Sequence, residues 1–139
     1  QKSAKVTPYV VWDYHVILIQ QNATKYLVYD LDSTIDFPCE IHIYWKETMR
    51  TDIPLNERYR RWFRVVNALE YLKHFSSDRR HMRNDRNEFV APPPCWPPIF
   101  DENRGHNLDQ FISMSEETLA HISNVYDEST LQQRFLCEV

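Results

Sequence analysis

The chain has 139 residues, with 16 Lys and Arg against 20 Asp and Glu, for a net charge of −4. Apolar residues make up 42% and aromatics 14%, too rich for a disordered chain, and the length suits a single domain with a buried core. The acidic balance argues against a dedicated nucleic-acid binder, and the longest aliphatic run, Val16–Ile19, is far short of the roughly 20 apolar residues of a membrane helix.

The lone glycine, Gly105, excludes a glycine-rich phosphate loop or dinucleotide fingerprint. Cys39, Cys95 and Cys137 are odd in number and irregular in spacing, which fits free thiols in a reducing compartment rather than a disulfide frame. No secretory signal is read at the start, and the chain begins at Gln1 rather than Met.

In chain order, Gln1–Pro8 reads as a frayed lead-in. Val10–Ile19 is dense in β-branched and aromatic residues and predicts a strand. Gln20–Thr24 is polar and turn-like, and Lys25–Leu31 predicts a second strand that pairs with the first as an antiparallel hairpin. Glu40–Lys46 alternates Ile41, Ile43 and Trp45 against His42 and Tyr44, which predicts a third extended segment. Leu55–Phe75 predicts helix, brief strand at Phe63–Val66, then helix. Ser76–Asn87 is loop-like, Pro92–Pro98 is a rigid extended wall, and Asn107–Ile112 and Leu131–Leu136 predict short helices. Together these elements predict an α+β fold, an antiparallel sheet with packed helices.

The hairpin carries the chemistry. Alternate residues of a strand share a face, so Asp13 and His15 point one way on the first strand, as do Asp30 and Asp32 on the second. If Gln20 opposes Lys25, His15 lies directly opposite Asp30 and Asp13 opposite Asp32. Opposed Cβ atoms are about 4.5–5.5 Å apart, close enough for a carboxylate to hold one imidazole nitrogen and leave the other basic. This is the base-and-orienter half of a nucleophilic triad. Asp32, diagonal to His15, is the alternative orienter. The facing Asp13 and Asp32 suit a cation such as a substrate ammonium.

A satisfied structural His–Asp contact explains the same pattern, and a metal site built from Asp13, His15, Asp30 and Asp32 is a weaker rival, since only one of the four is histidine. No cysteine of the chain is a convincing nucleophile: Cys39 follows Phe37-Pro38 in apolar surroundings, and Cys95 sits in the proline run. Between Arg58 and Arg86 nine Lys and Arg face three acids, read as a solvated face that balances the acidic ends rather than an anion site.

Several motifs in order carry a family likeness: Trp12-Asp13-Tyr14-His15-Val16, Tyr29-Asp30-Leu31-Asp32, Phe37-Pro38-Cys39, Ser77-Asp78-Arg79-Arg80-His81-Met82, the proline run from Pro92, and Asn107-Leu108 with Phe111-Ile112-Ser113-Met114. From about Val10 onward the chain resembles the protein N-terminal glutamine amidohydrolases. The resemblance implies a papain- or transglutaminase-like cysteine hydrolase fold over a single domain, residues 1–139, here without its N-terminal helix layer. It implies a Cys-His-Asp triad with His15 and Asp30 at the matching positions, which selects Asp30 over Asp32. The family's nucleophilic Cys lies upstream and has no match here, and Cys39 matches a position that is not the nucleophile.

The implied reaction converts an N-terminal Gln to Glu with release of ammonia, with no cofactor and no metal, in the N-end-rule pathway of the cytoplasm and nucleus. The implied partners are proteins and peptides with N-terminal Gln, with neither nucleic acid nor membrane, and the implied full-length form is a monomer. Asp13, Asp32 and Asp78 are ammonium-binding candidates by charge alone. The alternative is a non-catalytic binding protein on the same scaffold.

Overall fold

The computed structural model describes residues 1, 2 and 10–136, so most of the expected lead-in and Cys137 lie outside the described residues. The chain forms two units, Gln1–Arg61 with Asp127–Val139, and Trp62–Tyr126.

In the first unit, β1 (Leu18–Asn22), β2 (Lys25–Tyr29) and β3 (Cys39–Glu40) form an antiparallel sheet in that order. The expected hairpin forms, but its first strand starts eight residues later than expected and the turn falls at Ala23-Thr24. Leu18 pairs with Tyr29 and Asn22 with Lys25, a register shifted by two from the one that sets Gln20 against Lys25. The cause is that β1 is largely exposed: its backbone pairs through Gln20, Gln21 and Asn22 without needing apolar side chains there. A shift of two leaves each residue on its original face, whereas a shift of one inverts every face. It removes the direct opposition of Asp13 to Asp32 and of His15 to Asp30.

The extended segment expected at Glu40–Lys46 is replaced by a helical turn. Only Cys39 and Glu40 are strand; α1 (Ile41–Tyr44) follows and continues as a π-helical turn, Trp45–Met49. Ile41, Tyr44 and Trp45 are buried, at spacings of three and four, while Ile43 is exposed. The apolar residues fit both periods, and burial of the 41/44/45 face selects the helix.

The core of this unit holds Val28, Cys39, Ile41, Tyr44, Trp45, Leu131 and Phe135. The last two lie one turn apart on α4 (Glu128–Leu136), where Phe135 meets Tyr26 edge-on at 5.2 Å. Asp127 caps this helix, its Oδ1 accepting the Thr130 backbone N–H at 2.9 Å.

In the second unit β4 (Trp62–Val66) pairs with β5 (Ser123–Asp127), a strand absent from the sequence reading. The helix expected before β4 shrinks to a 3-10 turn at Glu57–Tyr59, and the helix after it is α2 (Ala68–His74), capped by the Asn67 side chain on the Leu69 N–H at 2.9 Å. Tyr71, Phe75 and Phe111 cluster with ring centroids 4.7–5.5 Å apart, the last of them from α3 (Leu108–Ile112).

Much of the basic stretch is spent on structure. The Arg64 guanidinium donates to the carbonyls of Ser113, Ser115 and Thr118 and to the Ser123 hydroxyl, at 2.5–2.8 Å. Burial draws the Arg64 pKa below its usual value. Among the described residues no helix is long and apolar enough to cross a membrane.

Candidate functional site

His15 precedes β1 by three residues, in the irregular stretch that carries Trp12-Asp13-Tyr14-His15-Val16, and Asp30 follows β2 directly. Neither is a ladder residue. They meet: His15 Nε2 lies 3.0 Å from Asp30 Oδ1. The contact foreseen from the sequence exists, made outside the ladder instead of by direct opposition across it.

Asp30 is 2% exposed, and the His15 side chain retains 25% exposure. The hydrogen bond sets Nε2–H toward the carboxylate and leaves Nδ1 with its lone pair. Trp12, three residues earlier, stacks on the imidazole at 5.1 Å between centroids and 18° between planes. The ring is thus held at its edge by an anion and on one face by an indole.

The carboxylate takes four donors. Oδ1 accepts from His15 and from the Asp32 backbone N–H at 2.8 Å. Oδ2 accepts from the Tyr44 hydroxyl at 2.8 Å and from the Gln1 carboxamide nitrogen at 3.0 Å. Burial by itself would raise the Asp30 pKa, but the hydrogen bonds from Tyr44, Asp32 and Gln1 and the charge of His15 outweigh it and hold it below the ordinary carboxylate value. Burial first, then the facing carboxylate, pushes the Tyr44 phenol far up, so it remains a protonated donor.

Tyr44, Gln1 and Trp12 were absent from the sequence-derived site. The spacing of Trp12 and His15, three apart, is a signal against a strand there; Tyr44 is visible only once Ile41–Tyr44 is read as a helix with Ile41 and Tyr44 on one face.

Of the other sequence candidates, Asp32 and Asp78 have contacts of their own. Asp32 contributes its backbone N–H to Asp30, and Asp13 is exposed. Asp78 is engaged by the Arg80 guanidinium at 2.7 Å and by His106 at 3.3 Å, and the Arg80 hydrogen bonds hold its pKa well below the usual range. Among the described residues no three His, Cys, Asp or Glu side chains are grouped to hold a metal ion. Cys39 is buried beside an open cleft of about 540 Å³ formed with Leu27, Ile35, Asp36, Pro38, Glu40 and Ile43. Burial, then the negative charges of Asp36 and Asp30, pushes its thiol up and away from the thiolate form. Cys95 is exposed.

An oriented imidazole with one free nitrogen can take a proton from a thiol or a water and return it to a leaving group. The sequence as a whole matches the family model of N-terminal glutamine amidase over residues 1–135. It is 47% identical over 107 residues to the protein N-terminal glutamine amidohydrolases of Drosophila erecta and Drosophila melanogaster, and 46% identical to that of Drosophila pseudoobscura pseudoobscura. Each match covers 76% of this chain and 52% of the relative, so the chain spans about half the length of the curated relatives it matches. The chain belongs to the N-terminal glutamine amidase family.

Proposed function

We propose that this chain carries the base and its orienter for conversion of a protein's N-terminal Gln to Glu, with His15 as the base and Asp30 as the orienter. The observation that carries the reading is the 3.0 Å contact between His15 Nε2 and the buried Asp30, which leaves the opposite ring nitrogen for proton transfer.

His15 removes the proton of a cysteine thiol. The thiolate attacks the side-chain carboxamide carbon of the substrate glutamine, and the carbonyl π electrons move to oxygen. Collapse of the tetrahedral intermediate expels the amide nitrogen, which takes the proton from His15 and leaves as ammonia. Water then gives a proton to His15 and attacks the thioester, and the thiol is restored as Glu is released. Asp30 stabilises the imidazolium in both halves and keeps Nε2 as the donor.

Cys39 is buried, with its thiol pushed up by burial and by the charges of Asp36 and Asp30, and is not assigned as the nucleophile. The sulfur is assigned to the part of the family's length that this chain does not span, as an upstream segment of a papain- or transglutaminase-like domain. The acceptor is water, and the reading requires neither metal nor cofactor. Its place is the cytoplasm and nucleus, where new N-terminal Glu enters N-end-rule degradation.

A polypeptide of the full family length should release ammonia from Gln-initiated peptides. His15→Ala and Asp30→Asn should each lower that rate by at least about a hundredfold, the usual contribution of a positioned acid–base group. Ammonia release undiminished in His15→Ala overturns the reading. Binding of Gln-initiated peptides with no turnover by the full-length polypeptide would instead make the family scaffold a recognition module.

A further inference from the structure

Asp30 divides its two oxygens between the surface and the core. Oδ1 serves the imidazole and the Asp32 N–H, and Oδ2 serves the Tyr44 hydroxyl and the Gln1 carboxamide. Tyr44 is as buried as Asp30, at 2% exposure, and sits on α1 between the buried Ile41 and Trp45, so its hydroxyl is placed by core packing.

A carboxylate beside an imidazole can fail in two ways. It can rotate about its Cβ–Cγ bond, a broad and weakly resisted torsion, and turn its lone pairs away from Nε2. It can also take up a proton and lose its charge. A donor fixed on the far oxygen opposes both.

We infer that Tyr44 is a positioning residue for the His15–Asp30 pair: its core-anchored hydroxyl fixes the rotation of the Asp30 carboxylate so that Oδ1 faces the imidazole. The inference rests on the amidase reading for its purpose and on the Tyr44–Asp30 geometry alone for its physics. Because the same hydrogen bond favours the anion over the acid, Tyr44 also keeps Asp30 charged while the active site cycles protons. Gln1 shares Oδ2 as a second donor, but it belongs to no element of the sheet or helices, whereas the phenol has a packed helix behind it.

The test is Tyr44→Phe in this 139-residue chain, which keeps the ring and removes one hydroxyl. The readout is the carbon-13 shift of the Asp30 carboxyl carbon as a function of pH. Loss of a donor to a charged group should raise the titration midpoint by about one pH unit. Tyr29→Phe is the control: that phenol donates to Gln20 at 2.7 Å, away from Asp30, and its loss should leave the midpoint in place. An unmoved Asp30 midpoint in folded Tyr44→Phe overturns the inference, whatever the change in stability.

If Tyr44→Phe does not fold, 3-fluorotyrosine at position 44 supplies a stronger donor of nearly the same shape and should lower the midpoint. A midpoint that is unmoved or raised overturns the inference. These titrations do not depend on ammonia release, so failure of the amidase reading and failure of the Tyr44 inference are separate outcomes.

Discussion

Replacing Asp30 by asparagine changes one charge and almost no volume. The carboxylate accepts from His15, the Asp32 N–H, Tyr44 and Gln1. An asparagine keeps one acceptor oxygen and turns the other position into a donor, so two of these four groups lose their acceptor. Hydrogen bonds to a charged group contribute about 1.5–3 kcal/mol each, but they are not additive. Removing the cost of burying a carboxylate at 2% exposure offsets part of the loss. The net expectation is a destabilisation of about 2 kcal/mol at pH 7.

The loss should also depend on pH. The native Asp30 pKa lies below its unfolded value, so the unfolded chain binds the proton more readily and stability rises with pH through that window. The advantage of the native carboxylate is complete above the unfolded value of about 3.9 and disappears as pH falls through the lower native value. Urea unfolding of both proteins at pH 7, 5 and 3, with free energies from midpoint and slope, tests this. The gap should be narrower at pH 3 than at pH 5. A gap of the same size at pH 3 and 5 refutes the assignment of Asp30 as a buried anion held by these donors.

Two further substitutions probe the scaffold. Arg64→Met strips the carbonyls of Ser113, Ser115 and Thr118 of a shared donor and should cost about 2–4 kcal/mol in the same unfolding measurement; a loss under about 0.5 kcal/mol defeats the role given to Arg64. Ala23 holds a left-handed φ of +49° in the β1–β2 turn, a conformation that costs a non-glycine residue about 1–2 kcal/mol. Ala23→Gly should recover about 0.5–1 kcal/mol after the entropy of glycine is counted, and a destabilised variant contradicts the strain argument.

The sequence carries the hairpin and the helices at Ala68–His74 and Leu108–Ile112, because these depend on local composition and periodicity; the His15–Asp30 contact was reached from a strand period that the irregular stretch around His15 does not have. Register was not legible in the same way. The pairing of β1 is fixed by a turn at Ala23-Thr24 with no glycine or asparagine at its first position to announce it, and polar residues flank that turn on both sides. The helix at Ile41–Tyr44 was hidden by a run in which apolar residues satisfy both periods, and only the packing of Ile41, Tyr44 and Trp45 separates them. With that helix went Tyr44. Ser123–Asp127 is short and polar at both ends, so nothing in it marks a strand until a partner is present.

The irregular backbone ahead of β1 has one more consequence. The imidazole rides on residues without ladder partners, with Val11, Trp12 and Val16 open to solvent, whereas the acid is embedded behind β2 and α1. A strip with few buried contacts opens at lower cost than the packed β2 and α1 around the acid, so amide exchange along Val10–Ile17 should be faster than in those elements, and equal protection across them contradicts this separation.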